Sequence, residues 1–410
     1  LSLCLPLAGF LGLLAVPDVP LVFFGLLAIG FFERALRTDQ LLYWALTGWF
    51  VALGLCTHYR FFLYPAAAIL FLTCFTTARS QWKNPRLWLC IVIASIGLIP
   101  ILWFNLSNHL SSASFYFVDR HPWEFQASGL LHMFKQAGLV TPGLYLLFAY
   151  TIYLMYQKAR HGDRSAALLL SFSMVNILVY LLLAPWTDAT STSIHWPLSG
   201  YFPLLIYLPF ALRSAANLLG AYFTAPTAHR LVIAIPVIGF LGTLTVLLGV
   251  GSQAFQLQLQ PLIGVGVLSN KMAGWTQFSS YVDELLQQEF AESPLILTDN
   301  YYTLAQVEFA GLTRQGFTLD EEKAVRDGRI TQYQIWQKDR AGLEPVAASE
   351  YLFITEDSTL DTAAKHDLLT NLCARTDRLT HLGKLHLFNS DKRFSFYRGV
   401  ALHSTDSLEQ

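Results

Sequence analysis

The side chains best suited to ionic chemistry in the first 250 residues are few and far apart. Asp18 is the only acidic residue among the first thirty-two and lies in Val16-Pro17-Asp18-Val19-Pro20, between two apolar runs. A carboxylate there could accept a proton from an attacking hydroxyl, orient that hydroxyl or hold a divalent cation. The alternative is a turn acid, because Pro and Asp together break helices. Arg60 and Arg120 carry planar, permanently charged guanidiniums whose paired donors match a phosphate. Set against that, Arg60 could snorkel to an interface, and Arg120 could pair with Asp119 or Glu124 for little gain. His109 and His195 could bind phosphate or a metal ion, or act as plain hydrogen-bonding residues. Asn105, His109, Asp119, Arg120, His121 and Glu124 crowd into one loop rich in Phe, Tyr and Trp.

The elements that must position these groups are membrane helices. The chain is 54% hydrophobic with 13% charged residues, far from an ordinary soluble domain. Nine apolar segments can be drawn, at about 1–15, 20–33, 41–57, 61–77, 87–104, 141–157, 166–185, 198–212 and 231–250. The loops between them alternate in basic content. Arg34, Arg37, Arg79, Lys83, Arg86, Lys158, Arg160, Arg164, Arg213 and Arg230 fall on one side, and Arg60, Arg120 and Lys135 on the other. By the positive-inside rule the second side faces away from the cytoplasm. That puts Asp18, the 105–140 loop, the 186–197 loop and everything after 250 on the outer face. The rings of the 105–140 loop suit a segment lying on the membrane surface. The first segment is shorter than a usual span, so Leu1 reads as a point inside a helix.

The balance then reverses. Residues 1–250 hold 13 Lys+Arg and 7 Asp+Glu, whereas 251–410 hold 14 and 21, a net of −7. An acidic domain of this kind argues against nucleic acid as a partner. The chain therefore reads as a mainly α, polytopic helix bundle over 1–250, a linker over 251–274 and a small α/β domain over 275–410. In that domain Pro294–Asp299 and Tyr351–Thr355 read as buried strands. Lys384–Phe388 and Phe394–Arg398 alternate as strands joined through Asn389–Arg393. Helices are expected after Gly274, at Tyr301–Ala310 and near Asp361–Cys373, with Asp299 as a strand-to-helix cap. No phosphate loop, nucleophile elbow or HExxH motif occurs in the domain. The five cysteines show no CxxC or Cys/His ligand spacing.

Several short segments, taken in order, resemble the bacterial dolichyl-phosphate-mannose–protein mannosyltransferases, glycosyltransferase family 39. Pro17-Asp18-Val19-Pro20-Leu21 with Phe23-Phe24 resembles the family's Pro-Asp-x-Pro-Leu-x-Phe-Phe, and Gly48 to Pro65 its Gly-x-x-x-Gly-Leu, Lys-Tyr, Leu-Pro stretch. Trp103-Phe-Asn105 with His109, Ser114 and Phe115 is similar to its outer segment. His195-Trp196-Pro197 with Tyr201 is similar to its Asn-Trp-Pro and Tyr. Thr298-Asp299-Asn-Tyr301 and Gln332-Tyr333 with Trp336 are similar to its C-terminal domain. Two positions depart from the pattern: His58 stands where the family has Lys, and His195 where it has Asn.

The resemblance implies a GT-C fold of about nine spans here. Such an enzyme moves a sugar from a polyprenyl-phosphate donor to a lipid, glycan or protein acceptor on the outer face of a bacterial inner membrane. It further implies that Asp18 is a second, supporting acid, with the main base expected upstream of Leu1. Arg60, Arg120 and His58 are the candidates for the donor phosphate. Asn105, His109 and His195 are polar candidates near the acceptor, and a divalent metal ion is a possible cofactor. A transporter or flippase, and a non-catalytic scaffold with an external sensing domain, are the competing readings. The transporter is disfavoured because the charges collect at helix ends and the halves show no repeat.

Overall fold

The computed structural model describes residues 1–13, 16–120, 123–187, 195–251, 273–320 and 322–404. His121 and most of the 251–274 linker therefore lie outside the described residues, as do the side chain of Asp119 and residues 188–194. Contacts divide the chain into Leu1–Leu248 and Gly249–Gln410.

The first unit is helical. Its principal helices are α1 (Pro6–Leu13), α2 (Asp18–Thr38), α3 (Leu41–Leu55), α4 (Leu63–Cys74), α5 (Pro85–Ser95) and α6 (Leu98–Ser107). They continue with α7 (His132–Val140), α8 (Pro142–Arg160), α9 (Arg164–Thr187), α10 (Leu198–Leu219) and α11 (Ala225–Gly251). All nine apolar segments fall on these helices, while the expected count of nine spans is not confirmed. Among the described residues five stretches are long and apolar enough to cross a membrane: α2, the α5–α6 run Pro85–Ser107, α9, α10 and Ala225–Leu248 of α11. The number rises to seven if two bent pairs each count as one span. The shortfall has local causes. Helix α1 has 8 residues and α3 has 15. After α4 the chain turns extended at Phe75 and bends by 104°, and at Thr141 the α7–α8 pair bends by 109°.

Helix α2 sets the two ends of this unit. Asp18 occupies its first turn, where the unpaired N–H groups and helix dipole favour a negative charge. Its other end closes at Asp39, which adopts a left-handed φ of 52° and donates its N–H to the Ala35 carbonyl. There the Asp39 carboxylate accepts from Trp44 Nε1 (3.0 Å) and Asn84 Nδ2 (2.8 Å) and pairs with Arg86. Arg164 donates to the Leu36 and Thr77 carbonyls at 2.9 and 3.0 Å. Basic loops thus gather at one end of α2 and Asp18 at the other, about 30 Å apart for 21 helical residues. Between the ends the helices pack closely over glycines. A Cβ on Gly48 would stand 2.5 Å from the Cys90 carbonyl, and one on Gly97 would strike the Ala52 backbone. Such small-residue contacts are how helices approach where lipid supplies no hydrophobic drive. Leu102, Trp103 and Leu106 on α6 and Ile233, Val237 and Leu241 on α11 stay exposed, as a lipid-facing surface would.

The second unit is an α/β sandwich around a five-stranded sheet in the order β2-β1-β3-β5-β4. Its strands are β1 (Leu295–Thr298), β2 (Gly316–Thr318), β3 (Ala348–Thr355), β4 (Thr376–Leu387) and β5 (Lys392–Leu402). β1 pairs in parallel with β2 and β3, while β5 runs antiparallel to β3 and β4. Side chains alternate across the sheet. Ile296, Leu352 and Ile354 meet Phe278 and Val282 of α12 (Trp275–Glu289) and Val307 of α13 (Tyr301–Phe309). Leu295, Leu297, Tyr351 and Phe353 face the other way, towards Leu372 of α14 (Thr362–Cys373). A sheet covered on both faces explains why β1 reads as a continuous apolar run. The three-residue β2 carries too few residues to show a period and is not anticipated from sequence. The cap of α13 is also one residue later than expected. Asn300, not Asp299, accepts the Thr303 N–H at 2.8 Å, because the Asp299 carboxylate is taken by the Glu356 N–H and Asn300 Nδ2 at 3.0 and 2.9 Å.

Candidate functional site

The polar groups expected on one side of the membrane converge at the Asp18 end of α2. Asp18 is only 4% exposed. Its two oxygens accept from the two terminal nitrogens of Arg60, each at 2.8 Å, although the residues are 42 apart in sequence. Arg60 is delivered by a short 3-10 turn, Tyr59–Phe62, between α3 and α4. His58 caps that turn, its Nδ1 accepting from the Arg60 N–H at 3.1 Å. His195 Nε2 approaches the same Asp18 oxygen at 3.6 Å. A carboxylate held this way is fully engaged, so its first effect is to fix the guanidinium opposite it. One donor is left over: Arg60 Nε is buried and has no hydrogen-bond partner among the described residues. A buried unsatisfied donor is costly, and an N–H on the free side of a fixed guanidinium suits an anion.

Aromatic rings wall the pair. The Arg60 Cζ lies 5.0 Å from the centre of the Trp196 ring, and Arg120 Cζ lies 5.5 Å from the same ring. Arg120 also sits over Phe115 and Tyr116, at 5.7 and 5.9 Å. Tyr180 from α9 packs on Trp196 at 5.5 Å, and its hydroxyl interacts with Arg60. The Tyr116 ring is shared by His58 (4.9 Å) and Tyr59 (5.1 Å). Beside this cluster an apolar cavity of about 420 Å³ runs from Phe62 and Tyr64, next to the Arg60 turn, to Leu72, Trp82 and Leu87 towards the other end of the helices.

The seven site candidates do not share one fate. Asp18, Arg60, His58, His195 and Arg120 are brought together. Asn105 is adjacent but spoken for. Its Nδ2 donates to the Tyr59 hydroxyl (2.7 Å) and the Ile101 carbonyl (2.8 Å), and its Oδ1 accepts from the Ala113 N–H (2.9 Å). It pins the segment that follows α6 against the Arg60 turn. His109 is exposed on a turn with a φ of 52°, and no described contact joins it to the cluster. Sequence reasoning passes over Tyr180 and names Trp196 only within the His195-Trp196-Pro197 resemblance, with no role at the site. Tyr180 is the one ring carrying a hydroxyl in the 166–185 run, and Trp196 adjoins His195. A metal ion would need more donors than this. Among the described residues no group of three His, Cys, Asp or Glu side chains gathers to hold one. With both Asp18 oxygens engaged, Asp18 and His195 do not fit a cation between them.

Residues 1–104 match the family model of the dolichyl-phosphate-mannose-protein mannosyltransferases. The match covers 104 of the chain's 410 residues and shows a similarity over that stretch. No curated protein and no solved structure matches the chain. The first quarter of the chain is thus similar to a family of glycosyltransferases, and the apolar helices agree with a multi-pass membrane protein. The mannosyltransferase match contains Asp18, His58 and Arg60. It stops before Asn105, Arg120, His195 and Trp196, which reach the cluster through the fold alone.

Proposed function

We propose that this mannosyltransferase-family chain moves a sugar from a polyprenyl-phosphate donor to a lipid, glycan or protein acceptor. The reaction takes place at the end of the bundle where Asp18 and Arg60 meet. The buried Nε–H of Arg60, without an acceptor among the described residues, carries this reading. As the bond from the anomeric carbon to the phosphate oxygen breaks, negative charge grows on the leaving phosphate. A guanidinium already locked by Asp18 stabilises that charge without reorganising. Arg120 adds a second cation on the shared indole, and His58 lines the same wall. The apolar cavity beside the Arg60 turn offers the prenyl chain a place to lie. Asp18 acts here as the anchor of Arg60, a supporting role consistent with its doubly engaged carboxylate. His195, against Asp18, and Asn105, behind Tyr59, shape the side from which an acceptor would come. The arrangement of basic loops favours an outward-facing site in a bacterial inner membrane, with the C-terminal domain on the same side.

The test is transfer of a labelled polyprenyl-phosphate sugar by membranes carrying the protein. Removing one partner of a buried pair leaves a stranded charge and costs about 3–5 kcal/mol, whereas removing both is often near neutral. The informative variant is therefore the double change Asp18→Asn with Arg60→Gln. We expect it to remain folded and to lose transfer by about a hundredfold or more, the scale of losing a fixed donor to a developing anion. Wild-type transfer by the folded double variant would overturn this placement of the site, and no transfer by the wild-type protein would favour the scaffold reading.

A further inference from the structure

Two arginines that arrive from segments sixty residues apart end on one ring. Arg60 comes from the turn after α3 and Arg120 from the loop after α6, yet their Cζ atoms lie 5.0 and 5.5 Å from the centre of the Trp196 indole. Two like charges gathered on one ring repel, and Asp18 pairs directly with Arg60. What the two cations share is the electron-rich face of Trp196, the strongest of the aromatic partners for a guanidinium. The ring is itself held. Trp196 is 9% exposed, it packs against Tyr180 at 5.5 Å, and Pro197 directly after it begins α10 as the cap. It is therefore a rigid plate fixed by α9 and α10, on which groups from α3–α4 and from the outer loop are laid.

We infer that Trp196 is a positioning residue for the donor phosphate. It holds the guanidiniums of Arg60 and Arg120 so that both present N–H groups to one phosphate. It does not touch the reacting atoms. This inference rests on the glycosyltransferase reading and adds to it a residue beyond the matched stretch of the family. The specificity it confers is for the phosphate and not for the prenyl chain.

The experiment compares the wild-type protein, Trp196→Leu and Trp196→Phe in nanodiscs, measuring equilibrium binding of polyprenyl phosphate and of the uncharged polyprenol, with steady-state transfer alongside. Trp196→Leu should weaken polyprenyl phosphate about tenfold, the size expected when two cation–π contacts are lost. Polyprenol binding should be unchanged. In transfer the loss should appear in KM for the donor more than in kcat, because the ring orders binding groups and takes no part in bond-making. Trp196→Phe keeps a ring of weaker quadrupole and should recover part of the affinity. If Trp196→Leu fails to fold, Trp196→Phe decides alone, with a smaller loss confined to the phosphorylated ligand. Equal loss of polyprenol and polyprenyl phosphate, or no loss of either, would overturn the inference. A wild-type protein that does not distinguish polyprenyl phosphate from polyprenol would overturn the glycosyltransferase reading itself.

Discussion

Burying a carboxylate among apolar helices is expensive unless a partner restores its lost hydration, and Asp18 meets that cost with both oxygens on Arg60. The second unit treats a carboxylate differently. Asp299 sits at the end of β1, accepts two hydrogen bonds on Oδ1 and leaves Oδ2 without one. Burial pushes it up to about 7 from its ordinary 3.8, against the pull of Lys323 and the Glu356 N–H. A raised carboxyl pKa means that the folded state keeps a proton the unfolded chain has released. Stability from this group is complete below about 4 and is lost as pH rises through about 7, at no more than about 1.4 kcal/mol per pH unit. Lys392 acts in a separate window. Burial pushes it down to about 8 from 10.5, so its penalty is full below about 8 and fades towards 10.5. Asp299→Asn should therefore flatten the pH dependence between 4 and 7 and leave the alkaline limb unchanged. Pulse proteolysis of the second unit within the whole protein would read this, and an unchanged acid limb would contradict it. Individual residues of the site were legible because charge is scarce in the first 250 residues, so Asp18 and Arg60 stand out. Their mutual pairing was not legible, since nothing in the spacing of two residues 42 apart tells which long-range contact the fold will make.

At the scale of elements, apolar runs announce helices but not their breaks. After Pro65 the 61–77 run continues through Phe75 with no further proline or glycine, yet the chain turns there. The α7–α8 corner falls at Thr141, directly before a proline that begins a helix, which is the weaker of two possible signals. Bends of this kind depend on what the helix packs against, and a single sequence does not carry that information. Strand β2 was missed for the opposite reason, being too short to have a pattern. The glycines were legible only as small residues. Gly97 joins α5 to α6 and lies against the backbone of Ala52 in α3. The same α3 leads into the His58 cap and the Arg60 turn. Gly97→Val should force α3 away from its neighbours, lowering thermal stability in detergent and weakening donor binding together. Overpacking of this sort typically costs about 1–3 kcal/mol. A Gly97→Val protein with the wild-type melting temperature would show that the α3 contact is not tight.

For the molecule as a whole, composition turns from basic to acidic next to the point where contacts divide it, between Leu248 and Gly249. The mannosyltransferase match ends at residue 104, so much of the proposed site is assembled from sequence that no comparison reaches. The central claim is that the end of the bundle holding Asp18, Arg60, Arg120 and Trp196 receives the phosphate of a polyprenyl donor. A polyprenyl phosphate with a photoreactive group near its phosphate, cross-linked to the protein in native membranes and mapped by peptide mass, tests it most directly. The account predicts labelling within 58–64, 115–120 or 195–201, suppressed by excess polyprenyl phosphate and hardly by polyprenol. Labelling confined to the Asp39 and Arg86 end of the helices, or equally suppressed by both competitors, would contradict it.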